Sequence, residues 1–253
     1  MTDSDPGQAG RIVVTDADGV RDVLFDRPAK KNAFTAALYA DLADALADAS
    51  ANPAVGAVLL RGAGGVFSAG NDIGDFLRSP PTGADAPVKR FLDALALCDK
   101  PLVAAVSGMA VGVGTTMLLH CDMVYAAPDA KFRTPFVDLG LVPEAASSLL
   151  LPALVGPARA SRMLLMGEAI DAATALDWGL VGAVVPADAL EATARAAARA
   201  LAGKPRSAVV ETKRLLRHGR ETVLRTMERE FAVFAEMLRS PEARAAFDAF
   251  LKR

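Results

Sequence analysis

Cysteine, histidine and tryptophan are nearly missing from this chain, and each shortage closes a line of chemistry. Of 253 residues, two are cysteines, two are histidines and one is a tryptophan. Cys98 and Cys121 stand in unrelated settings, with neither a C-x-x-C nor a metal-type spacing, which reads as two reduced thiols in a cytoplasmic protein. His120 lies in the apolar run Leu-Leu-His-Cys and reads as a core residue. His218 sits between Arg217 and Gly219 and reads as a cation at a helix C-terminus. Two histidines so placed give no zinc site, and no metal is expected. Charge of one sign is also lacking. The net charge is −2, with a pI near 5.8, so no basic field marks the chain for nucleic acid. Long apolar runs are absent too. Residues 102–119 come nearest a membrane span, but Gly, Ser and Thr interrupt them, and Lys100 and His120 flank them. The first eleven residues are polar and acidic, without the basic start and apolar stretch of a secretory leader.

What is abundant is small and aliphatic. Hydrophobic residues make up 52% and aromatics 6%, so a sizeable core must be packed from Ala, Val and Leu. The length suits one large domain with a helical segment appended. Residues 1–10 read as a disordered tail. Residues 11–15 and 20–25 read as strands joined by an Asp-Ala-Asp-Gly turn. Thr35 reads as the N-cap of a helix to about residue 50, with Leu38, Leu42, Ala45 and Leu46 at helical spacing. Strands are expected at 55–61, 102–106, 123–126 and 182–185, and extended chain at 66–68 and 131–133. Helices are expected at 88–98, 115–120, 158–166, 172–178, 188–202, 206–217, 221–238 and 241–252. Residues 78–87, rich in Pro and Gly, read as a mobile loop. This alternation argues α/β architecture with a helical C-terminal region.

Two glycine-rich runs, FSAGND at 67–72 and SGMAVGVGTT at 107–116, let backbone N–H groups come close to a ligand. Neither has the spacing of a dinucleotide or P-loop phosphate cradle, and no G-x-S-x-G elbow exists for serine hydrolysis. As a pair they fit an oxyanion held by main-chain donors, while each alone also fits a tight turn. Glu144 likewise reads two ways. After Pro143 it fits the first turn of a helix, where it would meet the helix dipole. Among its apolar and small neighbours it also fits a desolvated base of raised pKa. Asp72 reads as a cap for the segment starting at Ile73, and Asp138 as a partner for an arginine.

Several patterns occur in a fixed order: Asp-Arg-Pro-x-x-x-Asn-Ala at 26–33, FSAGND, SGMAVGVG at 107–114, CDMVYA at 121–126, and LVGPARASRMLLMGEAIDAATALDWGLVGAVV at 154–185. Together they resemble the crotonase, or enoyl-CoA hydratase/isomerase, superfamily over residues 11–253. The resemblance implies a spiral of β-β-α turns at 11–190 and a helical trimerisation region at 191–253. It also implies homotrimers that pair into hexamers, and acyl-CoA thioester substrates with no cofactor beyond the coenzyme A they carry. It assigns the oxyanion donors to the N–H groups of Asn71 and Val113, the latter a Val where the hydratases usually have Gly. The two hydratase glutamates fall on Thr116 and Phe136. Glu144, with FSAGNDIGDF and TPFVDLGLVPEAASS, is instead similar to the single base of the Δ3,Δ2-enoyl-CoA isomerases. Substrate and CoA contacts are implied at Ala29, Lys30, Lys31, Ala33, Ala69, Gly70, Asp72, Ile73, Gly112 and Pro135. Phe250 and Lys252 are implied counterparts of residues that reach a neighbouring subunit. The acyl pocket is expected around Phe76, Leu77, Phe91 and Leu95. The alternatives are hydration or another crotonase reaction, and a degenerate acyl-CoA-binding protein.

Overall fold

The computed structural model describes residues 10–252 apart from 79, 82, 84 and 218, without the Leu251 side chain. The expected tail, except Gly10, and the reading of His218 fall outside the described residues. So does part of the expected loop at 78–87. The chain starts with a hairpin, β1 (Arg11–Ala17) and β2 (Val20–Asp26), turned at Asp18 and Gly19 with φ of 53° and 74°. Three β-β-α passes follow. The first runs from β3 (Ala57–Gly62) through extended residues 66–68 into the helices Ile73–Arg78 (α2) and Pro87–Leu97 (α3). The second is β4 (Leu102–Val106), β5 (Met109–Val111) and the short α4 (Val113–Thr116). The third is β6 (Met123–Ala126), β7 (Lys131–Arg133) and α5 (Ser147–Val155). Each pass adds one strand to a six-stranded sheet and one extended segment to a smaller one. The large sheet has the order β1-β2-β3-β4-β6-β9, with β9 at Ala183–Val184, and the small sheet has the order β5-β7-β8, with β8 at Ile170–Asp171.

Beyond the hairpin, the large sheet is parallel, and as such it is covered on both faces. Its strands alternate strictly. Val58, Leu60, Leu102, Ala104 and Val106 join the main core, beneath α1 (Ala36–Ala51) and α3. Ala57, Leu59, Val103 and Ala105 face the other way, onto Leu190, Ala194 and Ala198 of α8 (Leu190–Ala202). Helices α6 (Pro157–Leu164) and α7 (Ala172–Asp177) lie between the third pass and β9, while α9 (Arg206–Leu216), α10 (Arg220–Met237) and α11 (Pro241–Leu251) end the chain. Ion pairs fasten the end of α9 and the start of α10 to the body. Asp99 meets Arg214 at 2.8 Å and Arg220 at 2.7 Å, and Asp122 meets Lys213 at 2.8 Å and Arg217 at 3.1 Å. Among the described residues no helix is long and apolar enough to cross a membrane.

Two expectations need correction. The helix expected at 115–120 is a single α turn, Val113–Thr116, followed by a 3-10 turn, Met117–His120. The helix expected to open at Pro143-Glu144 starts three residues later, at Ser147. Ala145 and Ala146 carry φ of 59° and 55° and interrupt it. Glu144 therefore does not lie in the first turn of a helix, and the dipole reading of that residue falls.

One buried amide ties the first pass together. Asn32, 1% exposed, accepts from the Arg27 N–H at 2.9 Å through Oδ1, and its Nδ2 donates to the carbonyls of Ala63 at 2.9 Å and Val66 at 2.6 Å. Its removal orphans those buried groups. Asn32→Ala is expected to lower the urea midpoint by the equivalent of about 2–4 kcal/mol at an unchanged slope, checked by equilibrium denaturation.

Candidate active site

The two glycine-rich runs lie side by side. Ser68 bridges Ala110 in parallel, its N–H donating to the Met109 carbonyl at 3.0 Å and its carbonyl accepting from the Val111 N–H at 2.9 Å. Gly70 has φ of 86°, and a Cβ there would lie 2.6 Å from the Val111 carbonyl oxygen, so only glycine brings the strands this close. Gly112 turns the second run with φ 55° and ψ −120°, and its carbonyl then accepts from Thr115 and Thr116 to start α4. Asn71 bridges Phe34 in parallel. In such a bridge Phe34 bonds to the flanking residues, Gly70 and Asp72, which turns the Asn71 N–H to the opposite side. Among the described residues neither the Asn71 nor the Val113 N–H meets an acceptor. The runs thus leave two free donors on neighbouring chain segments. Val at 113 leaves the donor in place, since its 1% exposed side chain is packed in the core.

Glu144 faces this ledge from the third pass. It is 8% exposed. Its Oε1 accepts from the Thr116 hydroxyl, while its Oε2 is the one buried side-chain N or O atom among the described residues without a partner. Burial drives its carboxyl from 4.5 to about 8, the Thr116 hydroxyl opposes the rise and the nearby Glu230 charge adds to it. Tyr39, on the buried face of α1, donates to Asn71 Oδ1. Burial, and next the Glu144 charge, hold its phenol well above the usual value. Glu144 and Asn71 line one apolar pocket with Phe76, Leu92, Phe231 and Phe234 among its walls.

The structure corrects the expected pocket wall. Phe76 lines it, but Phe91 and Leu95 are each 1% exposed on the core side of the apolar face of α3, and Val88 and Leu92 of the same face line the pocket instead. Leu77 points outward at 38% exposure. The residues missed were Met227, Phe231 and Phe234 of α10, together with Tyr39 and Glu230. A helix is expected at 221–238; the stripe at 227, 230, 231 and 234, with one acid among three large apolar residues, is the signal that could have turned that face of it toward the site.

The remaining expected residues divide into groups. Ala29, Lys30 and Lys31 form an exposed turn beside the first run, joined by the Ala69 N–H donating to the Lys31 carbonyl at 2.9 Å. Ala33 is 8% exposed, and its carbonyl accepts from Arg27 at 2.9 Å. Ile73 is half-buried and packs on the core. Asp72 has both oxygens engaged, one by Arg27 at 2.7 Å and one by the Asp75 N–H at 2.9 Å, so it serves as the cap and offers a ligand no free group. Pro135 is not with Glu144. It borders a second cleft with Val111, Arg133, Leu139 and Phe250. Phe136, at a hydratase glutamate position, is 4% exposed in the core. Asp138 pairs with Arg133 at 2.9 Å. Phe250 and Lys252 are exposed near the chain end, and His120 is buried with Nε2 2.8 Å from the Ala145 carbonyl. Among the described residues no three His, Cys, Asp or Glu side chains group as a metal site.

A spiral of β-β-α passes with paired backbone donors defines a class of protein, and similarity to known proteins agrees with it. The family model described as enoyl-CoA hydratase/isomerase matches residues 15–253. The chain belongs to this enoyl-CoA hydratase/isomerase (crotonase) family. It is 36% identical over 213 residues to human enoyl-CoA delta isomerase 2, covering 81% of this chain and 54% of that protein. It therefore spans a little over half the length of that relative. With 1,2-epoxyphenylacetyl-CoA isomerase of Escherichia coli K12 it shares 35% identity over 247 residues, 93% of each chain. Among solved structures, OdaA of Pseudomonas aeruginosa superposes with a TM-score of 0.92 at 45% identity, over 96% of this chain and 99% of that one.

The raised carboxyl of Glu144 fixes the sign of a stability effect. Its folded value, about 8, exceeds the unfolded 4.5, so its stabilising contribution is complete below 4.5 and is lost as pH rises to about 8. Relative to Glu144→Gln, the wild type is expected to lose stability on the order of 4 kcal/mol across that window, read from denaturation midpoints of both proteins at several pH values.

Proposed function

We propose that this protein isomerises 3-enoyl-CoA thioesters to 2-enoyl-CoA thioesters by a one-carboxylate proton shift. Ionised Glu144 takes a proton from C2 through Oε2. The C2–H electron pair moves into the C1–C2 bond, and negative charge develops on the thioester oxygen of a dienolate. The Asn71 and Val113 N–H groups donate to that oxygen, a kind of contact whose loss typically costs about 3–4 kcal/mol of barrier. Glu144 then returns its proton to C4, the double bond settles between C2 and C3, and the thioester carbonyl re-forms. The step consumes no water and changes no oxidation state.

The observation that carries the reading is the lone bare oxygen of Glu144 in an apolar pocket; the hydratase resemblance puts its two glutamates at positions 116 and 136, which here are a threonine bonded to Glu144 and a buried phenylalanine. Syn addition of water needs one group to orient the water and another to move protons. Thr116 donates its hydroxyl to Glu144, and Phe136 carries no titratable group. The similarity to human enoyl-CoA delta isomerase 2 gives further support. In this reading Lys30 and Lys31 meet CoA phosphate and the walls of the pocket from α3 and α10 hold the acyl tail. The chain works as a homotrimer or hexamer in the cytoplasm.

Incubation with 3-enoyl-CoA is expected to raise the ultraviolet absorbance of the conjugated thioester. Glu144→Gln is expected to lower kcat about 10²–10⁴-fold with little change in KM. In the wild type kcat/KM is expected to rise with pH along a limb near 8, where Glu144 ionises. Wild-type turnover by Glu144→Gln, or mass spectrometry showing a gain of water by 2-enoyl-CoA as the main reaction, would sink the reading.

A further inference from the structure

Glu144 is followed by two alanines in the left-handed region, with φ of 59° and 55°. Left-handed backbone is strained for a non-glycine residue, so surrounding contacts must hold them. Three do so. His120 Nε2 lies 2.8 Å from the Ala145 carbonyl. The Ser147 hydroxyl donates to the Glu144 carbonyl at 2.6 Å. Glu230, reaching in from α10 and 7% exposed, accepts from the Ala146 N–H at 2.6 Å and from the Ser148 N–H at 3.0 Å, and also takes the Ser148 hydroxyl. A carboxylate on the C-terminal helix thus fastens the turn that aims the base.

The same face of α10 meets the acyl pocket. Met227, Phe231 and Phe234 line it, and they flank Glu230 at i−3, i+1 and i+4. The ring of Phe234 stacks edge-on against Phe76 of α2 at 5.9 Å. We infer that Glu230 is a positioning residue for Glu144, tying the wall of the acyl pocket to the turn that aims the base; this rests on Glu144 being that base.

The groups around Glu144 leave room for a direct reading. Tyr39 faces it from α1, and burial keeps the phenol protonated. His120 faces its turn, and burial lowers that ring to about 4, so it is neutral above that pH. Lys89 and Asp93 of α3 line the pocket as an ion pair at 2.6 Å. Glu230 is the remaining acid, raised by burial and held down in part by Ser148 and Ala146. The alkaline limb of the pH profile therefore belongs to the Glu144–Glu230 pair.

The test compares steady-state isomerisation by the wild type, Glu144→Gln, Glu230→Gln and Glu230→Asp, with folding checked by circular dichroism. Glu230→Gln removes the charge and can no longer accept both N–H groups. It is expected to move the limb to lower pH by at least about half a unit and to cut plateau kcat about tenfold at little-changed KM. Glu230→Asp keeps the charge but withdraws it from the turn, and is expected to lose kcat to a similar extent. A folded Glu230→Gln with wild-type limb and kcat overturns the inference. If that variant does not fold, wild-type kcat in Glu230→Asp overturns it, and a tenfold loss at kept KM supports it. An inactive Glu144→Gln beside unaffected Glu230 variants removes the inference alone, whereas an active Glu144→Gln removes the reading on which it rests.

Discussion

A carboxyl group held on one side only is the constraint around which this structure is arranged. Glu144 has one oxygen on the Thr116 hydroxyl and the other on nothing, inside a wall of apolar side chains. A buried acid without a full set of donors destabilises its own ionised form, and the cost appears as a proton affinity near neutrality instead of near 4.5. A second donor to Oε2 would stabilise the ionised acid and weaken it as a base. In the proposed reaction, the bare oxygen is what would suit the group to a substrate carbon, which offers no hydrogen bond of its own until it is losing a proton.

Such an acid needs a counterpart that receives charge, and the chain builds it from backbone alone. The parallel bridges Ser68–Ala110 and Phe34–Asn71 consume the amides around Asn71 and leave its own N–H facing outward. The left-handed glycines 70 and 112 permit the approach and the turn. Rigid peptide donors of this kind do not reorganise as charge develops, which is where preorganisation yields its advantage. A helix dipole adds little to these donors, because α4 is a single turn.

Much of this was legible beforehand, for local reasons. The hairpin, the Thr35 cap and the parallel strands 102–106 and 123–126 rest on turn residues, a side-chain cap and apolar runs, all encoded within a few positions. What was misread depends on distant contacts. Pro143-Glu144 carries the local marks of a helix start, yet Glu230, 84 residues from Ala146, and His120 hold the next two residues left-handed. The strands β5 and β8 are too short to show a period and exist only through pairing with β7. On α3, Val88, Phe91, Leu92 and Leu95 form one apolar stripe, of which Val88 and Leu92 reach the pocket. Periodicity shows the stripe without telling which part of it faces a ligand.

The pocket wall carries the same lesson into function. The passes of the spiral supply the two free N–H groups, Thr116 and Glu144, whereas α10 supplies both the far wall of the pocket and the carboxylate under the turn that follows Glu144. In the proposed reaction the ledge is what any acyl thioester would require, and it is the part a sequence motif records. The shape of the pocket and the setting of Glu144 depend on side chains brought by a helix that has no motif. Asp99 and Asp122 hold the end of α9 and the start of α10 through four ion pairs. These link the setting of that helix to the loop between α3 and β4 and to the turn before β6, so the wall of the pocket is set by contacts that close the end of the chain onto its middle.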